Sequence, residues 1–221
     1  MRSIRAGKLC IGCCITFSDP SVTEMAAEAG FDFCWIDGEH GEMDRNTALM
    51  HIMALKGTDC APFFRVPACD HTEIKKVIDF APAGIIVPMI MDADDARRAV
   101  QACRYPPAGN RGCGMRRGNV YGTVPGVDSI MIGPYDLSCT LGKPGQWDDP
   151  EIGHILDDIC LRTRNAGKIL GTYAEGDFAR WERRGVQYIG CINDTGALFH
   201  GFQMMRDRVR KEFRSRKGAE Q

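Results

Sequence analysis

Seven short apolar runs, beginning near Leu9, Phe31, Ala61, Gly84, Val127, Ile169 and Gln187, alternate with longer amphipathic stretches along this chain. Parallel strands need a long crossover, usually a helix, and a sheet covered by such helices is buried on both faces. The rhythm therefore predicts strand–helix units around a parallel sheet. Expected strands cover 9–17, 31–37, 61–66, 84–88, 127–132, 169–172 and 187–192. Expected helices run from the Ser18-Asp19-Pro20 cap to Ala29, from Asp44 to about Leu55, over 72–79, 92–103, 150–165 and 177–184, and from Thr195 or Gly196 to about Arg214. Gly30, Gly57 and Gly167 close three of them. The stretches 105–126 and 141–149 carry no strand or helix pattern, and the first is expected to pack over the sheet or against a neighbouring subunit. The interval after Gly84 would hold two ordinary units but contains one helix, so one strand–helix unit is expected to be absent.

The 221 residues, 44% hydrophobic and 26% charged, suit one globular domain over 1–221. The formal charge is −1, and the basic cluster Arg206 to Lys217 has acidic residues interspersed. Neither nucleic acid nor a membrane surface is thus an expected partner. With no long apolar run and no signal-like start, the expected location is the cytoplasm. The eleven cysteines are odd in number and irregular in spacing, which argues against a disulfide framework. Cys10, Cys13 and Cys14 lie in a strand-like run and read as small apolar core residues rather than a metal or redox cluster.

Chemistry-bearing residues fall where strands are expected to end. The run FDFCWIDGEHG, Phe31 to Gly41, is a greasy strand that stops in Asp37, Glu39 and His40. In parallel α/β sheets, side chains there face the ligand crevice. The Asp37 carboxylate can accept the His40 imidazole N–H and leave the other ring nitrogen free to move a proton; an ordinary solvated loop is the alternative. Arg65, at the end of APFFRV, reads either as an anion-binding group or as a structural ion pair with Asp37 or Glu39. Gly133 and Pro134 predict a tight turn carrying Asp136 into the same crevice, as a ligand for a hard cation or as the N-cap of a short helix.

WIDGEHG at 35–41, FFRVP at 63–67, RYPPAGNRGCG at 104–114, VPGVDSIMIGPYDLS at 124–138 and NDTGAL at 193–198 resemble, in this order, the motifs of the HpcH/HpaI aldolase family. These are metal-dependent 2-oxo acid aldolases related to the citrate lyase β subunit and macrophomate synthase. The resemblance implies a (β/α)8 TIM barrel, assembled as a homohexamer (a trimer of dimers), that cleaves a 4-hydroxy-2-oxo acid to pyruvate and an aldehyde. It makes His40 the catalytic histidine with Asp37 as partner, and Arg65 the contact to the ketone or enolate oxygen. Gly133, Pro134 and Tyr135 belong to the turn that meets the substrate carboxylate. Asp136 becomes one ligand of Mg²⁺, Mn²⁺ or Co²⁺. The second ligand, a glutamate on the family's fifth strand, has no counterpart: that unit would fall between Gly122 and Thr123. A Schiff-base aldolase would need a buried lysine on an inner strand, and 127–132 has none. The alternatives are a citrate-lyase-like enzyme that splits a CoA thioester, and a degenerate, non-catalytic scaffold subunit, motivated by the missing glutamate.

Overall fold

The computed structural model describes residues 8–112 and 129–219. Seven parallel strands form one sheet: β1 (Cys10–Ile15), β2 (Phe33–Asp37), β3 (Ala61–Arg65), β4 (Gly84–Ile86), β5 (Ser129–Ile132), β6 (Ile169–Tyr173) and β7 (Tyr188–Asn193). Their spatial order is β4-β3-β2-β1-β7-β6-β5, so the first strand lies between the second and the last. The described helices are α1 (Pro20–Glu28), α2 (Arg45–Ala54), α3 (His71–Ile78), α4 (Ala93–Cys103), α5 (Pro134–Thr140), α6 (Pro150–Asn165), α7 (Phe178–Arg183) and α8 (Asp194–Ala219). The alternation read from the sequence holds throughout, and α6 matches its expected bounds. Helix α5 realises the short helix that the sequence offered as an alternative, but it starts earlier, with Pro134 at its first position and not with Asp136 as its cap.

Aspartate side chains cap five helices. Asp19, Asp44, Asp70, Asp92 and Asp149 each accept backbone N–H groups of the first turn of α1, α2, α3, α4 and α6. These caps satisfy donors that the helix cannot bond internally, and they put the helix starts where the strand exits require them. Between the outer faces and the helices lie separate apolar clusters. One joins Ile36, Phe64 and Val66 to Ile52, Ile74, Val77 and Phe80. Another joins Ile132, Leu170 and Ile189 to Ile152, Leu156 and Trp181. Cys13, Cys34 and Cys60 pack with Ile15 and Leu55 in a third, as the core role expected of Cys13 implies.

The inner face is a single cluster to which every strand contributes: Cys10, Cys14, Phe33, Trp35, Ile169 and Tyr188 are buried, with Phe63, Ile86, Met131 and Tyr173 packed against them. Aromatic rings fill this space because glycine stands opposite them. A Cβ on Gly12 would lie 2.2 Å from the Phe33 ring, and one on Gly171 would lie 2.1 Å from the Tyr188 ring. Of the 105–126 stretch, only 105–112 is described. Arg111 is buried there, ion-paired to Asp79 at 2.9 Å and stacked on Tyr105, which fastens the segment to the end of α3.

Gly171→Ala is expected to lower the unfolding free energy by about 1–3 kcal/mol through overpacking. Urea denaturation measures this, and an unchanged midpoint would contradict the described packing.

Candidate active site

The register of β2 and β3 sets Asp37 beside Arg65 at the carboxyl ends of both strands. Arg65 grips the carboxylate with two bonds, Nε to Oδ1 at 2.9 Å and Nη2 to Oδ2 at 2.6 Å. Its Nη1 reaches Glu39 Oε2 at 2.7 Å. The guanidinium lies 4.6 Å from the Trp35 ring centroid. Such forked, stacked geometry suits arginine and not lysine. Burial opposes ionisation of Asp37, but the Arg65 bonds and charge outweigh it and hold the carboxyl below its ordinary range. Burial likewise opposes the charge on Arg65, and the two carboxylates outweigh it. The ion-pair reading of Arg65 is realised with both carboxylates at once.

The expected Asp37–imidazole bond is not formed. Asp37 Oδ1 instead accepts the backbone N–H groups of Glu39 at 3.0 Å and His40 at 3.3 Å, and Arg65 engages both oxygens. With its acceptor positions committed, Asp37 orients the main chain of His40 and not its ring. The imidazole is 71% exposed, with Nε2 3.7 Å from Glu39 Oε2. Gly38 is required beside it: a Cβ there would meet the Arg65 carbonyl oxygen at 2.7 Å.

Gly133 to Asp136 occupy the end of β5. The expected tight turn is the start of a helix: Gly133 caps α5, Pro134 is its first residue, and Asp136 sits inside the first turn, so it is not the N-cap. Asp136 and Tyr135 are exposed, and Pro134 is buried. The Tyr135 ring lies near Trp147, 6.2 Å between centroids. The Asp37–Arg65–His40 group and the Gly133–Asp136 group thus stand at the same edge of the sheet on different strands. No hydrogen bond or ion pair among the described residues joins them.

A set of residues that the sequence reading passed over extends from the first group towards the second. Trp35 packs edge-on against Tyr173, 6.0 Å between centroids, so it contacts both Arg65 and Tyr173. The Tyr173 hydroxyl donates to Glu175 Oε1, and Asn193 Nδ2 donates to the Tyr173 oxygen and to Glu175 Oε1, each at 3.1 Å. Asn193 faces inward because of a β-bulge. Gly12 pairs with Gly190 but Cys13 with Ile192, so β7 carries one extra residue and Cys14 meets Asn193. One step further, buried Asp194 accepts the backbone N–H groups of Thr16 and Phe17 at 2.7 and 2.8 Å, which closes the β1 end of the edge. The only signal in the sequence was NDTGAL, whose first two residues do this work.

Among the described residues, no three His, Cys, Asp or Glu side chains form a metal-ligand group. Asp136 is a single carboxylate, and a hard divalent cation takes several oxygen donors. The residues present do not make a complete metal site.

A parallel α/β sheet with its polar groups gathered at the carboxyl edge of the strands defines the class: an α/β enzyme fold with its site where strands end. Residues 11–122 match the family model described as HpcH/HpaI aldolase/citrate lyase. The chain is 31% identical over 244 aligned positions to the 5-keto-4-deoxy-D-glucarate aldolase of Salmonella paratyphi C (strain RKS4594), covering 95% of each. An HpcH/HpaI aldolase/citrate lyase family protein from Burkholderia cenocepacia J2315 superimposes with a TM-score of 0.87 at 25% identity, covering 95% of this chain and 98% of that one. The citrate synthase SbnG gives 0.84 at 26% identity, covering 96% and 97%. This chain belongs to the HpcH/HpaI aldolase/citrate lyase family.

Asp37, with its lowered folded pKa, stabilises the fold fully above pH about 4, and that contribution is lost as pH falls through the folded value. Asp37→Asn is expected to cost about 3 kcal/mol at pH 7, because it strands part of a buried pair, with the gap narrowing below pH about 4. Urea titrations from pH 7 to 3 check this; a gap independent of pH would contradict it.

Proposed function

We propose that the protein is a class II aldolase, an aldehyde-lyase that splits a 4-hydroxy-2-oxo acid into pyruvate and an aldehyde through an enolate. The observation that carries this reading is the half-buried Arg65, clamped by Asp37 and Glu39 beside an exposed His40, in a chain that aligns along almost its whole length with a named aldolase. Carbon–carbon cleavage leaves negative charge on the ketone oxygen, and a preorganised guanidinium at that point lowers the barrier without reorganising. The His40 ring, held only through its main chain, is free to take the proton of the 4-hydroxyl and return it. Asp37 acts by fixing Arg65 and the His40 backbone. The N-terminal residues of α5, Gly133 to Tyr135, are assigned to the substrate carboxylate. The citrate-lyase-like alternative is less well supported at the level of the relatives, which are named as aldolases; pyruvate release assayed with hydroxy-oxo acids and with CoA thioesters separates the two.

A divalent cation, Mg²⁺, Mn²⁺ or Co²⁺, belongs to this proposal: it would supply Lewis-acid chemistry, and Asp136 would be the one carboxylate that the described residues offer it. A (β/α)8 barrel belongs to it as well, with one unit more than the sequence contains. Two observations support that unit. The alignment with the aldolase runs over 244 positions although this chain has 221 residues. Among the described residues, the two open edges of the sheet are β4 and β5, on either side in sequence of the point between Gly122 and Thr123. A homo-oligomer, taken as a hexamer built as a trimer of dimers, is supported by α8, where exposed Leu198, Phe202, Met205 and Val209 make an i, i+4, i+7, i+11 stripe. Among the described residues, no helix is long and apolar enough to cross a membrane; a cytoplasmic location is proposed.

His40→Ala is expected to lower aldol cleavage at least about a hundredfold with unchanged stability, since its side chain is exposed. Arg65→Lys, which keeps a cation beside the two carboxylates, is expected to lose a similar factor while remaining folded. Full activity in either variant would refute the assigned role. The intact mass of the purified protein tests the extra unit: 24.5 kDa corresponds to this sequence, and about 4 kDa more would correspond to the barrel with its second ligand.

A further inference from the structure

The charges at the mouth of the sheet are uneven. Arg65 is the cation there, and it is already shared between two carboxylates, Asp37 and Glu39. On the β6 side, Glu175 is exposed and held from below by a phenol and an amide. Among the described residues no cation pairs with it. Burial and the bond to Glu175 raise the Tyr173 pKa, so the phenol keeps its proton and remains a donor to the carboxylate. Three elements therefore combine to keep one unneutralised negative charge in place: the end of β6, the bulge in β7 that turns Asn193 inward, and Trp35 behind Tyr173.

This charge stands where a substrate would extend. The register pairs Ile132 with Thr172, so the start of α5 at Gly133 and the end of β6 at Tyr173 leave the sheet at the same edge. Trp35, 8% exposed, contacts Arg65 on one side and Tyr173 on the other, and its indole N–H is a buried donor with no partner among the described residues. A carboxylate with spare lone pairs accepts hydroxyl or ammonium groups and repels a second carboxylate.

We infer that Glu175, positioned by Tyr173 and Asn193, selects the aldehyde half of the substrate. It favours a neutral, hydroxylated aldehyde and rejects one that ends in a carboxylate. The inference rests on the aldolase reading and deepens it. It sets this chain apart from enzymes acting on glucarate derivatives, which carry a carboxylate at each end.

The experiment uses the full-length protein in the synthetic direction, with pyruvate and either D-glyceraldehyde or glyoxylate as acceptor. Wild-type protein is expected to favour glyceraldehyde in kcat/KM by at least about tenfold, mostly through KM. Glu175→Gln is expected to shrink that ratio to near unity by improving glyoxylate, and Glu175→Asp to retain part of it. Two results would overturn the inference: a wild-type preference for glyoxylate, or a Glu175→Gln variant that loses both acceptors in equal proportion. The second result would make Glu175 part of the general machinery. Deuterium exchange into the pyruvate methyl group by wild-type protein needs no acceptor and reports the enolate chemistry separately. Exchange with the wrong acceptor ratio defeats this inference alone, whereas absence of exchange defeats the aldolase reading and this inference with it.

Discussion

The Arg65 guanidinium is the group on which the carboxyl edge of the sheet depends. It lies directly across the strand pair from Asp37, reaches Glu39 beyond the strand, and rests on Trp35. Taking three charges out of water is costly, and the cost is offset only because nearly every donor and acceptor finds a partner. Asp37 alone receives two bonds from Arg65 and two from backbone N–H groups. The loop from Gly38 to Gly41 is shaped around this pair. Side chains at Gly38 or Gly41 would run into the backbone oxygens of Arg65 and Asp37. His40 is thereby presented outward by a rigid base, while its ring is unencumbered. A proton-transfer group benefits from that combination, since its position is fixed but its nitrogens are not spent on structure.

Below this edge, the interior explains how the wider site is held. Phe33, Tyr188 and Tyr173 occupy space that Gly12, Gly171 and Gly190 leave open, so large rings interleave across neighbouring strands. The Tyr188 hydroxyl, buried among them, bonds to Ser129 at 2.9 Å and ties β5 to β7 across β6. Above, the Trp35 and Tyr173 rings continue the stack to the mouth, where their polar neighbours begin. A packed aromatic column is a stiff support. It carries Arg65 and Glu175 at fixed positions, which discrimination by charge requires.

What could be read from the chain follows how local each signal is. The strand–helix rhythm was legible because burial on both faces leaves continuous apolar runs, and the Asp19-Pro20 start because capping is a short-range affair. Arg65 with Asp37 or Glu39 was legible because an arginine at the end of a buried strand demands a carboxylate. The His40 ring was misread for the same reason: its expected partner was already committed to Arg65, a fact that depends on the pairing of β2 with β3. Asn193 was hidden by the bulge, since strict alternation from Tyr188 turns Ile192 inward and Asn193 out. Tyr173 and Glu175 come from a third strand, and nothing in their own spacing announces that they will meet Asn193. Helix α5 was legible only as an alternative, and its start was misplaced: Gly133 is the cap and Pro134 the first residue, while Asp136 lies inside the first turn.

The order of strands bears on how the site is completed. Each described strand lies next to its neighbour in sequence except at one place, β4 and β5, which stand at opposite edges; β7 returns to pair with β1. The chain therefore closes the sheet through its termini and leaves it open at its middle. Burial follows the same line. Strands β1, β2 and β6 are almost wholly buried, whereas β4 has no buried residue and β5 has one. Just beyond β4, Met89, Ile90 and Met91 are exposed. Unpaired parallel edges and uncovered apolar side chains are both unfavourable, and here they face the same interval. One further strand between β4 and β5 would relieve both, and it would end at the same edge as Arg65 and Asp136. The position at which the described strands leave the sheet open is thus also the position from which a second carboxylate would have to come for Asp136 to hold a cation.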